Sequence, residues 1–152
     1  MINIIRTDAN NTDFRSLVME LDKLLAKRNG EDQSFYEQFN KLDNIKHSIV
    51  AYVDGVPAGC GAIKAYETDG MEIKRMFVAP AFRGKGIATT ILKALELWAA
   101  ELHVSYCILE TGKMLPEAIA LYLKNGYDII RNYGQYVGVT ESVCFKKVVA
   151  SS

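Results

Sequence analysis

The chain has 152 residues, 49% of them hydrophobic and 24% charged, and its 18 basic residues balance its 18 acidic ones. A chain of this length buries roughly 70% of its unfolded surface, so one globular domain over residues 1–152 is expected. The balanced charge argues against a nucleic-acid partner, which needs a basic excess on one face. No apolar run approaches the ~20 residues that cross a bilayer, and residues 1–6 lack a charged-then-apolar secretory pattern. A cytoplasmic protein with no membrane partner is therefore expected.

Residues 2–7 read as a first strand, and the Asn, Asp and Thr cluster at 8–13 as a turn supplying a helix N-cap. Leu17, Leu21, Leu24 and Leu25 recur at helical spacing, predicting an amphipathic helix over about residues 13–27 that ends before Gly30. Phe35, Tyr36 and Phe39 predict a second, short helix ending near Asn40. Residues 48–53 and 57–66 are strands joined through Asp54-Gly55, a strong hairpin signal. Gly59 and Gly61 flank Cys60 and leave room for a neighbouring backbone or ligand.

Residues 71–78 form a strand without clean alternation: Lys74 and Arg75 are adjacent polar residues, and Met76, Phe77 and Val78 are consecutive apolar ones. A bulge near Lys74 or Arg75 reconciles the two halves. From Ile87, the apolar positions Ile91, Leu92, Leu95, Trp98, Ala99 and Leu102 follow a helical period. Residues 106–111 are a largely apolar strand, Pro116 opens a helix reaching Asn125 with Gly126 past its end, and residues 127–131 and 142–149 are two last strands around an aromatic loop. Cys60, Cys107 and Cys144 are an odd set with no C-x-x-C spacing. Neither a disulfide framework nor a metal site is expected, and all three read as small core residues.

Between the strand at 71–78 and the following helix lies Arg83-Gly84-Lys85-Gly86. Helix N-terminal N–H groups without intrahelical partners, together with the helix dipole, form an anion site. The two glycines let the backbone approach a ligand, and Arg83 and Lys85 add positive charge. The bland alternative is an ordinary strand-to-helix turn with a basic surface. A Walker A loop fails because Gly86, not Ser or Thr, follows Lys85. A dinucleotide fingerprint is a nearer miss: Thr89 stands where the third glycine belongs, and five residues separate strand from first glycine. A nicotinamide oxidoreductase is thereby weakened as a reading.

Arg83-Gly84-Lys85-Gly86-Ile87-Ala88 fits Gln/Arg-x-x-Gly-x-Gly/Ala, and on these residues the chain resembles the GNAT superfamily of N-acetyltransferases. The resemblance extends to the stretch from Glu72 to Pro80, to Leu109-Glu110-Thr111-Gly112, to Pro116 through Tyr122 with Gly126-Tyr127, and to Ser142-Val143-Cys144-Phe145. It implies an α/β (α+β) fold with a mixed, mostly antiparallel sheet of about six to seven strands flanked by about four helices. It also implies an enzyme that uses acetyl-CoA as acetyl donor, bound by Met76, Phe77, Val78, Arg83, Gly84, Lys85, Gly86, Ile87, Ala88 and Tyr122. Where many members carry Asn or Gln, three positions before Ala118, this chain has Leu115, so one polar cofactor contact is expected to be missing.

Acetyl transfer to an amine needs a neutral nucleophile, a place for the oxyanion and a proton for the leaving thiolate. An alkyl amine of pKa near 10.4 is only about one part in 10³ neutral at pH 7, a deficit of roughly 4–5 kcal/mol, which a general base relieves in part. The resemblance makes Glu72 the first choice of base, alternatively a solvated strand carboxylate, with Glu110, at the end of the adjacent strand, second. It makes Tyr122 the general acid, and the backbone N–H of Val78 or Phe77 the oxyanion donor. Tyr127 reads as packing. Covalent catalysis through a cysteine is disfavoured, since only His47 and His103 could activate one.

Tyr36, Phe39, Tyr66, Tyr133, Tyr136 and Ser142 are candidate linings of the acceptor site, or simply packing. The expected acceptor is a small amine or amino acid, with a protein N-terminus or lysine open. So is a non-catalytic acyl-CoA sensor of the same fold, which dispensable Glu72 and Tyr122 would favour. A monomer or a homodimer is expected.

Overall fold

A computed structural model describes residues 1–29 and 45–149. Seven strands form one sheet in the order β1-β2-β3-β4-β5-β7-β6: β1 (Ile2–Thr7), β2 (His47–Val53), β3 (Val56–Tyr66), β4 (Gly70–Val78), β5 (Tyr106–Gly112), β6 (Asp128–Ile130) and β7 (Ser142–Val148). β1, β2 and β3 pair antiparallel, as do β5, β6 and β7 around β7, while β4 and β5 run parallel. The mixed, mostly antiparallel sheet is thus the expected one. Three α-helices occur among the described residues, α1 (Thr12–Asn29), α2 (Ile87–Glu101) and α3 (Pro116–Lys124). The short helix expected around Tyr36 and Phe39 lies outside the described residues.

The chain divides into two compact units. In the first, residues 1–64 and 74–95, α1 is capped by Asn11, whose Oδ1 accepts the Phe14 N–H at 2.9 Å, as the polar cluster at 8–13 predicts. Phe14, Leu17, Val18 and Leu21 then pack with Val50, Cys60, Ala62 and Phe77 in the core. The β2–β3 hairpin turns at Asp54 (φ +50°) and Gly55 (φ +82°), both in the left-handed region that the two-residue turn demands. Gly59 and Gly61 are tight. A Cβ on Gly59 would stand 2.8 Å from the Phe77 carbonyl oxygen and 3.0 Å from Ile91 Cδ1, and one on Gly61 2.7 Å from Met76 Sδ. These two positions let β4 and α2 close against β3.

The broken alternation of β4 has a local cause. Arg75 adopts φ +62° inside the strand, and every residue from Gly70 to Arg75 is buried. The Arg75 guanidinium is neutralised within this unit by Asp22 of α1, Nη1 to Oδ1 at 2.6 Å.

In the second unit, residues 65–73 and 96–152, the β4–β5 ladder pairs Gly70, Met71 and Glu72 with Tyr106, Cys107 and Ile108. Gly70 is again required by contact: a Cβ there would meet the Tyr106 ring. Tyr127 is almost fully buried; its hydroxyl donates to Glu96 Oε2 at 2.9 Å, and Lys147 Nζ donates to Glu96 Oε1 at 2.9 Å. It packs, as expected, and ties the end of α3 to α2.

Gly59→Ala is expected to lower stability by about 1–3 kcal/mol, because the nearest obstacle is a backbone carbonyl that cannot rotate away. Urea unfolding measures this, and an unchanged midpoint would contradict the close approach of β4 to β3.

Candidate functional site

In the first unit, β4 runs through Met76, Phe77 and Val78 into a single 3-10 turn, Pro80–Phe82. The exit from the strand is tied by the Ala79 N–H, which donates to the Ala58 carbonyl at 2.8 Å. Arg83 reaches back: its Nε donates to the Val78 carbonyl at 2.9 Å, and its guanidinium lies 5.7 Å from the Phe77 ring centroid. Arg83 is therefore a brace for the loop as well as the exposed cation the sequence predicts. Lys85 Nζ sits 5.8 Å from the Phe82 ring.

Gly84 (φ +81°) and Gly86 (φ +77°) both take left-handed conformations, with nothing within 4 Å of where a Cβ would project. The first backbone donor of α2 is Thr90, whose N–H meets the Gly86 carbonyl at 3.1 Å. The N–H groups of Ile87, Ala88 and Thr89 thus precede the intrahelical ladder, as helix starts require. Ile87 itself is buried at 2% exposure and anchors the turn. Orphan donors, a backbone without Cβ atoms and two exposed cations suit a pyrophosphate group.

The second unit holds a group of titratable side chains on β4, β5 and β7 and the segment between β6 and β7. Glu72 pairs with Ile108, and Glu110 lies two residues beyond Ile108 on β5, so both carboxylates project to one face of the sheet. Glu72 is 8% exposed. Its Oε2 accepts the Tyr133 hydroxyl at 2.6 Å, and Glu110 Oε2 accepts the Ser142 hydroxyl at 2.7 Å. Tyr133 stands edge-on to Tyr66 (centroids 5.1 Å) and to Tyr136 (5.6 Å). Burial, then Glu110 and Glu72, push the Tyr136 phenol up, so both carboxylates act on one ring.

Tyr122, on α3, is 5% exposed and packs against Tyr127 (5.7 Å) and Phe145 (5.6 Å). Phe145 pairs with Leu109, one residue from Glu110, so Tyr122 packs on the face opposite the carboxylates. Burial and, secondarily, Glu110 push its phenol well above the usual tyrosine range. Leu115, just before α3, is half-buried, and its carbonyl accepts the Ala118 and Ile119 N–H groups at 3.1 and 3.2 Å. It serves the helix start rather than offering a polar side chain.

Tyr66, Tyr133, Tyr136 and Ser142 are marked in the sequence only as aromatic or polar lining. What the sequence does not reveal is that Tyr133 and Ser142 hold the two carboxylates. Tyr133 and Glu72 lie 61 residues apart, and no local pattern marks such a pair. Among the described residues no group of three or more His, Cys, Asp and Glu could hold a metal ion, and no helix is long and apolar enough to cross a membrane.

Comparison with known proteins bears on this arrangement. The chain is similar to an IAA acetyltransferase of Azospirillum brasilense, 41% identical over 90 residues, which is 58% of this chain and 58% of that relative. It therefore spans under two thirds of that relative's length. A solved structure from Klebsiella pneumoniae subsp. pneumoniae MGH 78578 is 27% identical, with a TM-score of 0.82 over 98% of both chains. The fold also matches a GNAT family acetyltransferase from Elizabethkingia anophelis with acetyl-CoA bound, 21% identical, TM-score 0.69 over 97% of both chains. Residues 14–127 match the acetyltransferase (GNAT) family, so the chain belongs to that family of acyl-transferring enzymes.

Proposed function

We propose that residues 1–152 act as one domain, an acetyl-CoA-dependent N-acetyltransferase that moves the acetyl group directly to a primary amine of a small molecule or amino acid. The observation that carries this reading is the turn at residues 83–88, where two left-handed glycines lead into three orphan N–H groups at the head of α2. Family membership supports acetyl-CoA as the donor. In this reading Met76, Phe77, Val78 and residues 83–88 bind the donor, without a polar contribution from Leu115.

The incoming ammonium must lose a proton before it can attack. Glu72 takes it, directly or through water, with Glu110 as the second carboxylate of the same face. The amine nitrogen then bonds to the thioester carbonyl carbon, and the oxyanion is met by the Val78 or Phe77 N–H. As the C–S bond breaks, the Tyr122 hydroxyl protonates the departing sulfur. That phenol is protonated at neutral pH, as an unperturbed one is, and burial raises its pKa further, which makes it a weaker proton donor.

Direct transfer is favoured over an acyl-cysteine. Burial pushes the thiols of Cys60 and Cys107 up to about 12 and that of Cys144 up to about 11, so thiolate, the nucleophilic form, is scarce at pH 7.

Gly86→Val is expected to abolish acetyl-CoA binding in calorimetry, because a β-branched residue is strained at φ +77° and crowds the donors, while nothing within 4 Å forces unfolding. Unchanged affinity would remove the loop from the site. All three cysteines of the folded protein are expected to alkylate on the order of 10²-fold more slowly than in urea; an acetyl-cysteine that forms and decays at the turnover rate would overturn direct transfer. Tyr122→Phe keeps the ring contacts and deletes the hydroxyl. With an amine acceptor, kcat is expected to fall roughly 10²-fold or more, with acetyl-CoA affinity and thermal midpoint nearly unchanged. Near-wild-type turnover in a stable variant would leave water as the acid.

A further inference from the structure

We infer that Tyr133 is a positioning residue for catalysis: its hydroxyl fixes the Glu72 carboxylate in the orientation from which it takes the proton of the acceptor amine. The inference rests on the assignment of Glu72 as the base.

The bond is short, Tyr133 hydroxyl to Glu72 Oε2 at 2.6 Å, the length of an O–H donor meeting a charged acceptor. A glutamate has three side-chain torsions and reaches a productive direction in only some rotamers. A donor held rigidly on one oxygen selects among them and fixes where the lone pairs of the other oxygen point. General-base efficiency depends on that direction, since the acceptor proton must lie within hydrogen-bond reach along it.

Tyr133 is itself held by two neighbouring rings. Its ring stands edge-on between Tyr66 at 5.1 Å and Tyr136 at 5.6 Å, with interplanar angles of 71° and 78°. The next residues form the 3-10 turn Gly134–Tyr136. The side chain of Asn132 clamps this segment, its Nδ2 donating to the carbonyls of Tyr136 (3.1 Å) and Val139 (2.9 Å). The loop between β6 and β7 is thus folded so that one hydroxyl is delivered to one carboxylate. A residue needed only for packing would be served by phenylalanine at this position.

Tyr133 does not carry the proton itself. Burial and the adjacent Glu72 push its phenol far above the usual tyrosine range, so at neutral pH it remains a donor. Its effect passes through Glu72.

The test is a double-mutant cycle on Tyr133→Phe and Glu72→Gln, read as thiol release from acetyl-CoA with the fastest primary amine of an acceptor panel. Tyr133→Phe is expected to lower kcat by about 10-fold to 10²-fold with unchanged KM for acetyl-CoA, and to lower the thermal midpoint of a still folded protein because the buried Glu72 carboxylate loses a donor. In the Glu72→Gln background the same substitution is expected to cost less than about 2-fold, since coupled residues lose their effects together. A loss in Glu72→Gln with none in Tyr133→Phe, or losses that multiply, would overturn the positioning role and leave the base assignment standing. Full activity in Glu72→Gln would overturn both. Independently of turnover, the side-chain carboxyl carbon resonance of Glu72, assigned by its disappearance in Glu72→Gln, is expected to shift in Tyr133→Phe; an unmoved resonance would overturn the bond on which the role depends.

Discussion

A buried carboxylate loses its hydration, and a protein that keeps one must answer it with hydrogen-bond donors. Glu72, 8% exposed at the last pair of the β4–β5 ladder, imposes that demand on everything around it in its unit. The segment between β6 and β7 answers by carrying Tyr133 onto it, and the same segment ends at Ser142, whose hydroxyl meets Glu110. The stack of Tyr66, Tyr133 and Tyr136 then follows from the need to hold one of those donors still. Aromatic edges meet the ring faces here because that arrangement suits the ring quadrupoles.

In the other unit the governing constraint is steric rather than electrostatic. Gly59 and Gly61 remove two side chains where the Phe77 carbonyl and the Met76, Ile91 and Leu95 side chains come close. α2 can therefore lie against the sheet with Ile91, Leu92 and Leu95 fully buried, and its N-terminus is held at the end of the turn from β4. Arg83 secures that turn by bonding the Val78 carbonyl. An anion site made of backbone N–H groups has no side chains to adjust, so its usefulness depends on such rigid support.

The polar groups of the second unit are divided by the sheet. Glu72 and Glu110 share one face, while Tyr122 packs on the other against Phe145 and Tyr127. Acid–base chemistry on an acyl transfer brings a base to the nucleophile and an acid to the leaving sulfur at one thioester, so the sheet sets Glu72 and Tyr122 apart rather than pairing them. Burial raises the pKa of the Tyr122 phenol and of the three cysteine thiols. The same dry interior makes a cysteine nucleophile a poor one.

What the sequence determined by itself is local. Leucine spacing predicts α1, the Asn-rich cluster its cap, Asp54-Gly55 the hairpin, and Arg83-Gly84-Lys85-Gly86 the turn into α2; each is set by a few consecutive residues and their allowed backbone angles. Even the broken alternation of β4 was visible, because it interrupts a period of two, and it pointed to Lys74 or Arg75, where Arg75 takes φ +62°. Only the tertiary structure decided which hydroxyl meets which carboxylate. Tyr133 reaches Glu72 across 61 residues and Ser142 reaches Glu110 across 32, and such pairings depend on sheet register and on the path of one loop. Neither quantity is written in any short stretch of chain, because long-range register comes from the packing of all strands together.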